Sequence, residues 1–168
     1  PISNLPPITN GCAAKDGGNL ICEKRSDLPE NDEVAMSVVR RFWGSDEIIK
    51  GLPRYCFWIN DDDEGIVQKS DELSMRVSKV RETRLRSTKV ATQAWADRAY
   101  RFVEIRRPQS SLVLALPSVA TESRPYLTPA LLSGDDVVSN LAFAMFDPPI
   151  WSFSVLSSSL HLAWVAPV

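Results

Sequence analysis

Ser70 opens the longest stretch of helical patterning in this chain. It is a good N-cap residue, and Asp71 and Glu72 follow in the first turn, where acids complement the helix dipole. Leu73, Val77 and Val80 then recur on one face. Arg76, Lys79 and Arg86 fall together on another. Arg84 lands on the continuation of the apolar stripe, an unusual place for a charge.

Shorter elements flank this helix. Asn31 to Trp43 predicts a helix capped by Asn31 or Asp32, with Val34, Val38 and Phe42 at helical spacing and Gly44 as its stop. Ser45 to Lys50 predicts a second, short helix. Arg54 to Ile59 is aromatic and β-rich and predicts a strand, and Asp61 to Glu64 a solvated acidic loop. Ala91 to Tyr100 predicts a further helix, Leu112 to Leu116 and Leu141 to Phe146 two strands, and Trp151 to Val165 a closing helix with Ser157, Ser158 and Ser159 inside it. The first 19 residues, rich in Pro, Gly and Asn, read as an irregular lead-in. The sum is an α+β fold: one mixed domain over residues 1–168, with short strands and flanking helices. No apolar run approaches the roughly 20 residues of a membrane-spanning helix.

Charge is distributed unevenly. Residues 1–65 hold 7 basic and 12 acidic side chains, residues 66–107 hold 11 and 5, and residues 108–168 hold 1 and 4. From Arg81 to Pro108 there are seven Arg and one Lys against Glu82, Asp97 and Glu104. Single-sign clustering of this kind fits an anionic partner, and nucleic acid is the commonest large one. The bland alternative is a solvated helix face. The net charge of −2 predicts weak binding by the isolated chain.

Several chemistries are disfavoured. Asp147-Pro148-Pro149-Ile150 resembles the D/N-P-P-aromatic signature of amino-methylating DNA methyltransferases, but Ile150 cannot stack on a flipped base, and Trp151 comes one residue late. No Gly-rich cofactor loop lies upstream, so the four residues predict a Pro-rich turn before the last helix. No G-x-S-x-G elbow occurs, and His161, the only histidine, sits among Leu160, Leu162 and Trp164, so a small hydrolase built on it is the weaker alternative. A protein-interaction module is another. Cys12, Cys22 and Cys56 are odd in number and widely spaced, and they read as reduced thiols. No metal, catalytic or cofactor-binding residue is expected in this chain.

Six segments, in order, carry a resemblance: PISNLP (1–6), DGGNLI (16–21), RRFWGSDEIIKGLPRYCFWI (40–59), the block from Val80 to Pro108, LALPSVATESRPYLTPALLS (114–133) and SVLSSSLHLAWV (154–165). Together they resemble the target-recognition region of MmeI-like DNA methyltransferases, fused restriction-modification enzymes that methylate adenine N6 with S-adenosylmethionine. The resemblance implies a double-stranded DNA partner, a bacterial cytoplasmic setting, and a methyltransferase domain N-terminal to this region that holds the cofactor and the catalytic residues. It also implies a nuclease, when present, further upstream. The opening Pro-Ile-Ser fits a piece of a longer polypeptide.

On this reading the DNA contacts are Arg81, Arg84, Arg86, Ser87, Lys89, Arg106, Arg107, Ser118 and Arg124, with Thr92 and Thr121 assisting. Arg and Lys neutralise phosphates and release counterions, and Arg also pairs bidentately with guanine. The chain departs from the family at Arg107, where the family reads I-R-Q-P, and at Ser118, where it often has Arg.

Overall fold

The computed structural model describes residues 4–119 and 124–165. In chain order the elements are β1 (Thr9–Asn10), β2 (Ile21–Cys22), α1 (Glu33–Ser37), β3 (Val39–Trp43), α2 (Ser45–Lys50), β4 (Arg54–Phe57), α3 (Asp71–Leu85) and α4 (Val90–Gln93). They continue with β5 (Leu112–Pro117), β6 (Ala130–Ser133), β7 (Val137–Val138), β8 (Ala142–Phe146), α5 (Trp151–Leu156) and α6 (Ser159–Val165). Short 3-10 segments cover Arg25–Asp27, Asp61–Lys69 and Ala96–Arg98. The α+β class read from sequence is what the chain adopts.

The chain forms two compact units. The first is built from residues 1–11, 42–53 and 106–168, the second from residues 12–41 and 54–105. Strand β3 carries the chain from the second into the first.

The first unit is organised on an antiparallel sheet of order β1-β8-β5-β6. Ala115 of β5 stands opposite Ala144 of β8, and Leu114 lies between Met145 of β8 and Leu131 of β6. Phe42 and Trp43 pair in parallel with Val137 and Val138 of β7. One face of the sheet buries Val113, Ala115, Leu132, Ala142 and Ala144 with Trp43, Ile48 and Val138. Small Ala residues on adjacent strands leave room for the large Trp43 and Ile48. Gly11 follows β1 so closely to the Val138 and Ser139 carbonyls that a Cβ would overlap them.

In the second unit β2 pairs antiparallel with β4, Ile21 opposite Cys56. Residues Ala13 and Glu104 exchange both backbone hydrogen bonds, at 2.9 and 3.0 Å. Helix α3 starts where its sequence says it should: Ser70 Oγ accepts the Leu73 N–H at 3.0 Å. Leu73 and Val80 are fully buried, as are Leu20, Phe57 and Phe102. The three cysteines are buried free thiols.

Three expectations need correction. The helix expected over Asn31 to Trp43 ends at Ser37, and β3 takes over at Val39. The last six residues of that stretch, VVRRFW, hold two β-branched and two aromatic side chains, and their strand preference wins over the i, i+4 spacing of Val34, Val38 and Phe42. The Ala91 to Tyr100 helix is instead α4 followed by a 3-10 turn. The closing helix is broken at Ser157 and Ser158. Ser157 Oγ bonds back to the Phe153 carbonyl at 2.7 Å and Ser158 Oγ accepts the Leu160 N–H at 3.1 Å, so side chains take backbone partners at the break.

Candidate nucleic-acid interface

The sequence-predicted contact residues divide between the two units. Arg81, Arg84, Arg86, Ser87 and Lys89 belong to the second, and Arg106, Arg107, Ser118 and Arg124 to the first.

In the second unit, Arg81 lies in the last turns of α3, Arg86 at its C-terminal end, and Lys89 directly before α4. All three are exposed, as are Lys79 and Arg98, two cations the sequence reading left out of the set. Arg98 was legible as part of the basic block. Arg81 pairs with Asp97 at 3.3 Å and Arg86 with Glu82 at 3.5 Å. Exposed pairs of this kind contribute roughly 0–1 kcal/mol, so a phosphate can replace the carboxylate at little cost. Ser87 Oγ accepts the Lys89 N–H at 3.2 Å, which leaves its hydroxyl hydrogen to donate. Thr92 is half-buried in α4.

Arg84 must be removed from the contact set. It is fully buried. Its guanidinium donates from Nε to the Lys15 carbonyl at 3.1 Å, from Nη1 to Trp95 and Arg98 at 2.9 and 2.8 Å, and from Nη2 to Ala14 and Arg101 at 2.8 and 2.7 Å. A guanidinium has five N–H donors, and all five are engaged with backbone carbonyls. Burial pulls its pKa down to about 10, partly offset by the Asp16 carboxylate. It is the keystone of the fold behind the basic surface.

Two neighbouring cations are also structural. Arg76 bonds Glu72 at 2.6 Å and the Asn19 carbonyl at 3.0 Å, with its guanidinium 4.7 Å over the Phe57 ring. Arg101 pairs with Asp61, which also accepts the Tyr100 hydroxyl at 2.8 Å. Burial and that carboxylate push the Tyr100 pKa up.

In the first unit, Arg106 is exposed. Arg107 is turned inward: its Nε donates to the Asp136 carbonyl at 3.2 Å and its Nη2 to the Gly134 carbonyl. Ser118, exposed at the end of β5, is tied down within the first unit: its hydroxyl donates to the Leu141 carbonyl at 2.7 Å and its N–H to Ser45 Oγ at 2.8 Å. Arg124 is half-buried, and Thr121 lies outside the described residues.

The residues considered for catalysis do not assemble. Asp147 Oδ1 accepts the N–H groups of Ser111 and Leu112 at 2.8 and 3.1 Å, and the Asp147 N–H returns to the Leu112 carbonyl at 2.8 Å. With φ at 46°, Asp147 is a turn residue that ties the end of β8 to the start of β5. Among the described residues, His161 lines a shallow cleft with Val155, Ser158, Leu160 and Trp164, none of them a carboxylate. Among the described residues no three His, Cys, Asp or Glu are placed to share a metal ion.

Comparison with known proteins gives this geometry a context. The model of the MmeI target recognition domain matches residues 1–168. A DNA methyltransferase A of Bacillus subtilis (strain 168) is 29% identical over 170 residues, a match that takes in 100% of this chain and 19% of that protein. The Type IIL restriction-modification enzyme MmeI, solved in complex with DNA, superposes with a TM-score of 0.87 at 27% identity, over 98% of this chain and 22% of that one. The chain thus spans about a fifth of the length of these two relatives. By the match along its whole length, this chain belongs to the MmeI target recognition domain family.

Proposed function

We propose that this chain reads duplex DNA as the recognition module of a longer, S-adenosylmethionine-dependent adenine-N6 DNA methyltransferase of the restriction-modification kind, acting in the bacterial cytoplasm. The observation that carries the reading is the backbone likeness to MmeI, an enzyme solved on DNA. The exposed cations of the second unit support it. In this reading Arg81, Arg86, Lys89 and Arg98 neutralise phosphates, with Ser87 donating beside them, while Arg106 and Arg124 serve the first unit. Phosphate contacts fix register, and base contacts then specify. The cofactor and the catalytic residues belong to the rest of the polypeptide, so calorimetric titration of this chain with S-adenosylmethionine gives no binding heat.

Fluorescence anisotropy on a labelled duplex across a salt series tests the interface. The isolated chain binds weakly, in the ~10⁻⁴–10⁻⁶ M range of nonspecific contact at physiological salt. Replacing Arg81, Arg86 and Lys89 together by Ala weakens binding and flattens the salt slope. Replacing Lys24 and Arg25 by Ala does little. The reverse pattern would place the DNA face elsewhere.

A further inference from the structure

The turn that joins α3 to α4 sets apolar side chains into the basic surface of the second unit. Leu85, Arg86, Ser87, Thr88, Lys89 and Val90 follow one another there, and no acid occurs from Thr83 to Ala96. Val90 is 77% exposed and Leu85 49%, and Arg86, Thr88 and Lys89 between them are exposed as well. Single exposed apolar residues are ordinary, but these two stand at the ends of a run of cations and hydroxyls. The run is also held in place. The Arg86 N–H donates to the Glu82 carbonyl at 3.0 Å and the Ser87 N–H to the Arg84 carbonyl at 3.2 Å. Gln93 Nε2 donates to the Ser87 carbonyl at 2.7 Å, which fastens α4 to the turn. Beyond α4, the buried Arg84 guanidinium takes the Trp95 and Arg98 carbonyls, so α4 is anchored on both sides.

We infer that Val90 and Leu85 make apolar contact with the 5-methyl groups of thymines in the major groove, while Arg86 and Lys89 hold the flanking phosphates. The inference rests on the reading that duplex DNA is the partner, and it makes this turn a reader of bases as well as of backbone. Cations that neutralise phosphates bring whatever lies between them to a groove. The thymine methyl is the apolar group that a base edge presents in the major groove, and apolar side chains are its partners there. The fixed backbone helps, because side chains already ordered lose little freedom on contact. A protein partner fits less well, since the cores of protein interfaces are depleted of Lys and Ser. A membrane surface fits less well too: interfacial helices bury a long apolar face, and α4 has four residues.

Fluorescence anisotropy at low salt tests the inference with two labelled alternating duplexes, dA-dT and dA-dU, which differ only in the 5-methyl group. The chain should bind the dA-dT duplex about threefold more tightly, the scale of one buried methyl. Val90→Ser should bind the two duplexes equally, and Val90→Ile should keep the preference. Val90 is exposed enough for both changes to leave the fold intact. Met75→Ala, at an exposed apolar side chain earlier on α3, should also keep the preference. Equal binding of the two duplexes by the parent chain would overturn the inference while the recognition reading stands. So would a preference that survives Val90→Ser, one that Met75→Ala abolishes, or a chain that pellets with phosphatidylglycerol vesicles until Val90 is replaced. Affinity for both duplexes that does not change with salt would overturn the DNA reading itself.

Discussion

Arg84 reaches back seventy residues to donate from Nη2 to the Ala14 carbonyl at 2.8 Å. The same guanidinium holds Lys15, Trp95, Arg98 and Arg101, so one side chain ties the turn after β1 to the segment after α4. Arg84→Met strands those carbonyls in a buried site and should cost on the order of 3–5 kcal/mol by urea denaturation. Arg84→Lys cannot reach them all and should lose most of that too. With its pKa lowered to about 10, Arg84 is protonated in folded and unfolded chains at lower pH. It therefore adds no pH dependence to stability between 5 and 9.

Two helix caps are linked, and acid should weaken both. Ser70 Oγ donates to Asp32 Oδ2 at 2.6 Å and accepts from Leu73, while Asp32 Oδ1 accepts the Ala35 N–H at 2.9 Å. The Ser70 hydroxyl and then the Ala35 amide hold the Asp32 carboxyl below its ordinary 3.8. A depressed carboxyl stabilises the fold above its unfolded pKa, and that contribution fades as pH falls through the folded value. Ser70→Ala should cost ~1 kcal/mol at pH 7. Thermal melts at pH 7 and below 3 should show the difference between parent and variant narrowing in acid.

Asp147 offers a clean contrast between charge and geometry. Asp147→Ala removes the acceptor for two amides and puts a poor residue at positive φ, a loss of about 1–3 kcal/mol in urea. Asp147→Asn keeps an acceptor oxygen and tolerates that backbone, so it should recover most of the loss. If the two variants were equally unstable, the carboxylate charge would matter more than the turn.

Adjacent arginines should separate stability from binding. Arg107→Ala releases the Gly134 and Asp136 carbonyls and should lower stability by about 1–3 kcal/mol. Arg106→Ala, on an exposed side chain, should change stability by less than about 0.5 kcal/mol. It should instead reduce the slope of log affinity against log salt by about 1. Melts and anisotropy on the same preparations check both statements.

Where the sequence carried a strong local signal, the fold was legible. Ser70, Asp71 and Leu73 located α3, Asp32 located the start of α1, and Gly51 closes α2 in the left-handed conformation favoured by glycine. Strands β1, β2 and β7 escaped because two residues cannot show a period; each exists through its pairing with a distant segment. The basic block was visible as a block, but not the division of labour inside it. Arg84 stood out as a charge on an apolar stripe, yet the carbonyls that claim it lie at positions 14–15 and 95–101. The partners of Ser118, Leu141 and Ser45, are likewise remote in sequence.

The path of the chain has a consequence for inheritance. It passes between the two units four times, after Gly11, Arg41, Pro53 and Ile105. A single genetic crossover anywhere inside such a sequence gives at least one unit a mixed ancestry, with strands from one parent facing partners from another. Recombinants that keep both cores coherent are those that exchange the whole segment. New recognition should therefore arise here by swapping the module intact or by point changes on its surface, and half-module chimaeras should be poorly folded.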